Sequence, residues 1–507
     1  MARPLDVAPL DAFNQRLLDQ VRPPEWVNPR PAARYNLVVV GGGTAGLVSA
    51  AGAAGLGAKV ALVERALLGG DCLNVGCVPS KALIRAARAV AELRRAPQLG
   101  LRVSDQLAVD FPAVMERMRR LRAEISPDDS AARFQSLGVD VFFGQARFTG
   151  PATLDAAGQT LRFARAVIAT GTQPRVPPIP GLLGAEPLTN ESLFNLTELP
   201  RRLAVVGGGP IGVEMAQAFA RFGSEVTLIE QGPRLLPRDD PDAARLVEQA
   251  LQRDGVRLLR NTTLTRVERH GAARTLHFAG NEHTPPSIDV DVLLIAVGRQ
   301  PHVADLGLEA AGVEFDAREG VVVDDRLRTT NRRIFAAGDV CSRWKFTHAA
   351  DAMARIVLAN ALFYGRARAS RLVMPWCTYT DPELAHVGLT ASEADQRGLA
   401  IDTLTVGLEA VHRAVLDDER EGFVRVHLAR GTDRVLGATV VAAHAGELIG
   451  ELSLVITGRL GLKSIARVIH PYPTQAEAIR RAADTYNRTR LTPRIRRLLE
   501  RWFRWRR

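Results

Sequence analysis

Lysine is almost missing from this chain. Of 66 basic residues, four are lysine (Lys59, Lys81, Lys345, Lys463) and 62 are arginine. So one-sided a choice is a compositional bias, and the net charge of +11 with a pI of about 10.2 does not by itself identify a polyanion-binding protein. No nucleic-acid-binding module occurs along the sequence, which removes that class of partner. Cysteine is also scarce: Cys72, Cys77, Cys341 and Cys377 are the four in 507 residues. That number excludes a small secreted domain stapled by disulfides and fits a reducing, intracellular setting. The first thirty residues contain no apolar core before a small-residue cleavage site, so a cytoplasmic protein is expected. Residues 37–58 run for 22 positions without a charge, yet carry seven glycines in a strand–turn–helix pattern that argues against a membrane span. What is present, 46% hydrophobic and 24% charged residues, describes a globular chain long enough for two to four domains.

The glycines supply the organisation. A β-branched run at 37–40 leads into Gly41-x-Gly43-x-x-Gly46, a small-residue helix, a second strand at 60–63 and then Glu64. Gly41 permits the tight turn, Gly43 lets the backbone approach a pyrophosphate, and Gly46 allows close helix–strand packing. Glu64 is placed to accept both hydrogen bonds of a ribose diol. The pattern returns: a strand at 203–206, Gly207-x-Gly209-x-x-Gly212, a helix through Phe222, a strand at 226–229 and Glu230. Two such folds imply two dinucleotides. A carboxylate at Glu230 pairs with a free 2′-hydroxyl and repels a 2′-phosphate, so the second ligand reads as NAD(P)H with NADH favoured; Arg234, four positions on, is the residue that would argue for the phosphate.

Strand ends complete the frame. Residues 166–168 run into Ala169-Thr170-Gly171, the proline-rich stretch 174–180 reads as a linker, and residues 293–298 end at Gly298 before Arg299. Ile334-Phe335-Ala336-Ala337-Gly338-Asp339 is another strand closing on an acid, at the strand end where doubly wound folds bind ligands. After Arg371 alternating strands and a helix read as a separate α+β domain.

Gly69-Gly70-Asp71-Cys72-Leu73-Asn74-Val75-Gly76-Cys77-Val78-Pro79-Ser80-Lys81 holds half of the cysteines. The spacing does not match a zinc ribbon, and no second pair exists to complete one, so no metal site is expected. A helix starting near Cys72 would lower the thiol pKa at its positive end and make the pair a dithiol/disulfide couple. Cys341 and Cys377 read as buried structural thiols.

With GGDCLNVGCVPSK as its most specific element, the chain from about Asn36 to Glu477 resembles the FAD-dependent pyridine nucleotide-disulfide oxidoreductases. The resemblance implies two Rossmann-like dinucleotide-binding domains and an α+β dimerisation domain, assembled as a homodimer. It assigns Gly41, Gly43, Gly46, Glu64 and Gly70 to FAD, with Thr170 and Gly171 nearby. Gly338 and Asp339 fall to its ribityl and phosphate side, and Thr347 and His348 to the isoalloxazine. Gly207, Gly209, Gly212, Glu230, Gly298 and Arg299 go to the nicotinamide dinucleotide. Cys77 is the implied charge-transfer thiol and Cys72 the interchange thiol. Lys81, paired with Glu214, is the cation near flavin N5, where a positive charge stabilises the reduced ring. The implied relay runs from NAD(P)H through flavin to the Cys72–Cys77 disulfide and out through Cys72.

The last signature departs from the disulfide reductases. Their His-Pro-Thr-x-x-Glu supplies a His–Glu pair from the second subunit; here His470-Pro471-Tyr472-Pro473-Thr474 precedes Glu477, which puts Tyr472 in the acid–base position and His470 two residues earlier. Tyrosine, with an ordinary pKa near ~10, is a weaker shuttle at neutral pH than imidazole. An aromatic hydroxyl there resembles mercuric reductase, but no cysteine pair lies near residues 501–507 or ahead of Cys72. Soft metals need thiolates, so how efficiently mercury would be turned over is left open, although the core resembles mercuric reductase. The acceptor stays open among a disulfide, a thiol-bound metal and a quinone-like acceptor, the first two being the ones the relay through Cys72 suits. Dihydrolipoamide dehydrogenase, with His470 as the base, is the alternative within the class; a redox-sensing or membrane-docking module is the alternative outside it.

The implied boundaries are an N-terminal extension at 1–35, the FAD domain at 36–185 and 306–370, the NAD(P)H domain at 186–305, the dimerisation domain at 371–485 and a basic tail at 486–507. In the tail, Thr492-Pro493 starts a helix whose Ile495, Leu498, Leu499, Trp502 and Phe503 form one stripe among arginines. Two placements are open for it: the inner face of an anionic membrane or an acidic partner, or the protein's own body.

Overall fold

Tyr35–Val40 is buried at five of its six positions. A strand apolar on both sides needs cover on both faces, the condition met in parallel sheets flanked by helices. In the computed structural model, which describes residues 6–102 and 108–507, it pairs in parallel with Val60–Glu64 and Gln159–Ile168. Val139–Phe143 extends the sheet on one side, Thr153–Ala156 and Ala146–Gly150 on the other, and Ile334–Ala336 adds in parallel beside Gln159–Ile168. The returning strand brings Gly338 and Asp339 to the same sheet end as the first glycine loop, as the Gly-Asp ending implied. The helices Thr44–Gly55 and Thr347–Phe363 pack together over one face through Leu47, Ala50, Met353 and Val357.

The second fold repeats the plan with four parallel strands in the order Arg257–Leu259, Glu225–Ile229, Arg202–Val206, Val292–Ile295. The two crossovers between the folds meet: Thr172–Pro174 pairs antiparallel with Arg299–Pro301 at the edge of the expected linker.

Residues 1–35 are not a loose extension over their described part. Asp11 caps the helix Ala12–Val21, Leu17 and Val21 are fully buried, and Asp11 pairs with Arg119 at 2.5 Å. Arg122, itself buried, donates to the Asn74 carbonyl at 2.5 Å and to Asn14 Oδ1 at 2.6 Å. The segment thereby braces the stretch carrying Cys72.

Contacts divide the chain into one unit reaching to Gln231 and continuing over Val256–Leu372, and a second comprising Gly232–Gly255 and Val373–Arg507. Residues 232–255, read from sequence as part of the NAD(P)H domain, cluster with the second unit for a chemical reason. Arg425 grips Asp240 and Asp242 at 2.7 and 2.9 Å, and the Trp376 indole donates to Asp239 at 2.7 Å. The rest of that unit is a five-stranded antiparallel sheet, ordered Pro375–Thr378, Glu383–Gly388, Val435–Ala442, Phe423–Ala429, Ile401–Gly407. Ala445–Thr457 and Glu477–Thr489 close its core through Leu452, Ile479 and Ala482. Among the described residues no helix is long and apolar enough to cross a membrane.

Candidate active site

The glycine loops behave as their spacing requires. Gly41 has φ +106° and a Cβ there would lie 2.3 Å from the Ala169 carbonyl oxygen; a Cβ on Gly46 would lie 1.8 Å from the Gly41 oxygen. Gly207 and Gly212 repeat this at 2.4 and 1.9 Å from Ala296 and Gly207 oxygens. The helices that follow, Thr44–Gly55 and Pro210–Phe222, start at Gly43 and Gly209 with no side-chain cap, whereas Phe111–Ile125 and Pro241–Arg253 are capped by Asp110 and Asp240. Uncapped first-turn N–H groups above a glycine turn suit a pyrophosphate, so the residues fit two dinucleotides. The acids do more than the sequence suggested. Glu64 accepts from Gly42 N at 2.6 Å and Ala66 N at 2.5 Å, and Glu230 accepts from Gly208 N at 2.7 Å. Each therefore holds its loop in shape, a role the spacing alone did not show. Burial raises the Glu64 pKa while the two amides and nearby arginines oppose it.

The redox segment corrects one expectation. Two helices share it rather than one: Gly70–Val75 holds Cys72 in its middle, and Cys77 is the first residue of the 19-residue helix Cys77–Arg95. They break at Gly76, where a Cβ would lie 2.7 Å from the Asp71 oxygen. The positive helix end therefore falls on Cys77. A hydrogen bond from Cys72 is the main cause that lowers Cys77 to about 6 against burial, with Thr347 (Sγ–Oγ1 3.4 Å) and Lys81 assisting. Cys72 moves the other way, raised chiefly by the same thiol–thiolate bond and then by burial. One thiolate and one thiol, side by side, is the reduced form of an exchanging pair. Cys341 differs: burial pushes its thiol up to about 12. Cys377 lies partly buried against the core of the second unit.

Lys81 Nζ reaches Glu214 at 2.8 Å, and Glu214 is almost wholly buried in the second fold's helix. The scarce lysine is thus held from the neighbouring fold, on the helix that begins with Cys77. Thr347 and His348 open the helix Thr347–Phe363, and His348 stacks on Phe346 with ring centroids 5.3 Å apart. Asp339 is half-buried, accepts from Thr172 Oγ1 at 3.2 Å, and has its pKa raised by desolvation; its carbonyl takes Lys345 at 2.5 Å. Gly338 has φ +79°.

Arg299 commits its guanidinium within the protein. It pairs with Asp71, the neighbour of Cys72, and donates to Thr172 Oγ1 at 2.7 Å, the Thr172 carbonyl at 3.0 Å and Asn190 Oδ1 at 3.1 Å. Thr170 donates to the His302 carbonyl at 2.7 Å, His302 N returns a bond to the Gly171 oxygen at 3.0 Å, and Gly298 accepts from Arg175 N. His302, lowered by burial to about 4, stays neutral beside Arg65 at 2.9 Å. Thr172, Asn190 and His302 escaped the sequence reading because no motif marks them, and Asp71 stood there within the cysteine motif with no role of its own; the strand pairing of the crossovers creates the cluster.

In the second unit Tyr472 is 72% exposed and its hydroxyl lies 3.0 Å from His412 Nδ1, the rings edge to face. The sequence reading missed His412, 60 positions away. His470 turns elsewhere: its side chain is 7% exposed and Nε2 meets Glu451 at 3.1 and 3.2 Å. Glu477 pairs with Arg481 at 2.8 Å, and its second oxygen is buried without a hydrogen-bond partner among the described residues. Arg234 donates to the carbonyls of Leu236, Pro237 and Asp239.

Comparison with known proteins agrees with this geometry. The family described as pyridine nucleotide-disulphide oxidoreductase matches residues 35–354, and its dimerisation domain matches residues 374–483. The chain belongs to this family. It is a flavoprotein oxidoreductase of the FAD- and pyridine nucleotide-dependent class, and it carries the family's homodimerisation domain. It is 36% identical to a mercuric reductase of Streptomyces lividans over 457 residues, 89% of this chain and 96% of that one. A dihydrolipoyl dehydrogenase of Chlamydia muridarum is 32% identical over 448 residues, 87% and 95% of the two chains. Among solved structures, the HOCl-induced flavoprotein disulfide reductase RclA from Escherichia coli superposes with a TM-score of 0.78 at 31% identity, covering 89% of this chain and 99% of its own.

Proposed function

We propose that this protein takes electrons from NADH, holds FAD in the first glycine fold, and delivers the electrons through Cys72 and Cys77 to a disulfide or thiol-bound soft metal ion. The placement of Cys77 at the start of the helix Cys77–Arg95, with Thr347 Oγ1 at 3.4 Å and Lys81 on the same helix, carries the reading, and the lowered Cys77 and raised Cys72 agree with it. A bound FAD would supply the two-electron chemistry that links the nicotinamide to the protein disulfide. Lys81, anchored by Glu214, keeps a cation beside the Cys77 helix, and Thr347 hydrogen-bonds Cys77, so negative charge is stabilised there. Cys72 is the sulfur that meets the acceptor, giving up its proton as it attacks, and Cys77 then closes the disulfide as the reduced acceptor leaves. Glu230 bracing the second loop supports NADH over NADPH, as does Arg234, whose guanidinium is taken up by three carbonyls. The proton for a leaving thiol comes from Tyr472 of the partner subunit, whose hydroxyl is hydrogen-bonded to its own chain's His412 Nδ1. Its mercuric reductase relatives support a thiol-bound metal as acceptor.

A second reading, oxidation of a dithiol with NAD+ reduction, draws on the His470–Glu451 contact, a His–Glu pair of the type the disulfide reductases use. An acceptor screen separates the two: oxidised lipoamide, oxidised glutathione, Hg(II) with excess thiol and quinones, each with NADH and with NADPH. The first reading expects turnover with Hg(II)–thiolate or a disulfide and a long-wavelength thiolate–flavin band on two-electron reduction; absence of that band overturns it. A His470→Ala variant with full lipoamide turnover would overturn the second.

A further inference from the structure

Thr492 Oγ1 accepts from Ile495 N at 3.3 Å and Pro493 occupies the first turn, so the helix Pro493–Trp505 is started by its own sequence. The helix before it, Glu477–Thr489, buries Ala478, Ile479, Ala482 and Ala483 in the core of its unit. Pro493–Trp505 buries nothing, and all thirteen residues are exposed. Its large side chains are left open: Leu498, Trp502, Phe503 and Trp505 are 67, 49, 57 and 77% exposed. At ~100° per residue, Ile495, Leu498, Leu499, Trp502, Phe503 and Trp505 fill one arc of roughly 160°, and Arg494, Arg496, Arg497, Arg501 and Arg504 fill the other. Residues 493–507 hold seven arginines against one acid, Glu500.

We propose that this helix docks the protein on an anionic lipid surface, lying flat with its Trp and Phe side chains at headgroup depth. The charge argues for that occupant. A second copy of the helix would bring seven arginines against seven, whereas a surface of acidic headgroups complements them and also accepts the apolar arc. At 13 residues it is ~20 Å long, suited to lying in the interface and too short to cross. Arg506 lies 5.7 Å from the Trp502 ring and Trp502 5.3 Å from Trp505, a cation–aromatic cluster of the kind that sits between headgroups and acyl chains.

The test is co-sedimentation of the flavin-loaded full chain with vesicles of phosphatidylcholine alone or with one-third phosphatidylserine. Parallel samples lack residues 492–507, carry W502A/F503A, or carry R496E/R497E. The proposal expects binding to the anionic vesicles only, reduced by at least about tenfold in each variant and by raised salt, with flavin absorbance and NADH oxidation unchanged. It is overturned if the full chain stays in the supernatant, if the truncated chain sediments equally well, or if neutral vesicles bind as strongly. It is overturned equally if truncation changes the oligomeric state while no vesicle binding is seen, since a second copy then covers the face.

Discussion

The two glycine folds are built alike and face different surroundings. Their third glycines approach the first glycine's oxygen to 1.8 and 1.9 Å of a built Cβ, and their acids hold the loop amide at 2.6 and 2.7 Å. In front of the first, Gly70 stands so near that its own Cβ would lie 2.7 Å from Gly43 Cα; in front of the second, a Cβ on Gly209 meets nothing within 4 Å. The chain segment that closes the first loop is the one that continues into Cys72. A Cβ on Gly43 would meet Gly70 Cα at 3.8 Å where one on Gly209 meets nothing, so the first loop is backed by the segment carrying Cys72 and the second is not. On the proposed function, the first would keep its cofactor and the second would exchange its dinucleotide at each turnover.

The strongest test of that difference changes the same glycine in both folds. Gly46→Ala should expel FAD and lower NADH oxidation by at least about a thousandfold, because the Gly41 oxygen it strikes is backbone and cannot yield cheaply. Gly212→Ala meets an equivalent clash, yet it should purify with its flavin and lose affinity for NADH, seen as a raised KM. Loss of flavin from both variants would erase the distinction between resident and exchanging sites.

The backed side is also where the thiols are. Cys72→Ala should remove acceptor turnover by about a thousandfold or more and leave flavin in place. It also removes the largest cause of the low Cys77 pKa. Alkylation of Cys77, which in the reduced native protein should rise through an inflection near about 6, should then inflect nearer the ordinary thiol value of ~8.5. The sign for stability follows: a lowered thiol pKa contributes above the ordinary value and is lost as pH falls through about 6. An unmoved inflection in Cys72→Ala would assign the thiolate to the helix end and Lys81 instead.

Much of this contrast was legible before any coordinates. The glycine spacings, Glu64, Glu230 and the Cys72 to Lys81 segment depend on local backbone geometry, which sequence periodicity reports directly. The helix break between the cysteines was not legible, because Gly76 is needed only for the approach of the Asp71 oxygen. Nor was the Arg299–Asp71 contact, since residues 228 positions apart meet through crossover pairing that no local pattern announces. His412 was missed for the same reason. The union of residues 232–255 with the second unit rests on Arg425, whose carboxylate partners sit more than 180 positions earlier.

On the open side, the predicted effects are smaller. Glu230→Gln should lower kcat/KM for NADH by about tenfold and change that for NADPH far less, because the amide still fills the site but removes the charge that opposes a 2′-phosphate. Side-by-side initial rates with the two nucleotides check it. An equal loss with both would mean that Glu230 acts through the Gly208 loop alone, and the open fold would then be shaped by its acid without being made selective by it.

The smallest expected effect lies outside both folds. His412→Phe keeps an aromatic ring beside Tyr472 and removes the hydrogen-bond partner of its hydroxyl. If that bond orients the phenol toward a leaving thiol, kcat should fall by about three- to tenfold, with KM for the acceptor nearly unchanged and the pH dependence of kcat altered. Tyr472→Phe should fall by a similar factor, and the double variant no further than the single ones, because both remove one proton path. Additive losses in the double variant would separate the two residues. His412 would then be a neighbour that packs against Tyr472 without assisting it, and the proton would have to come from the His470–Glu451 pair or from water.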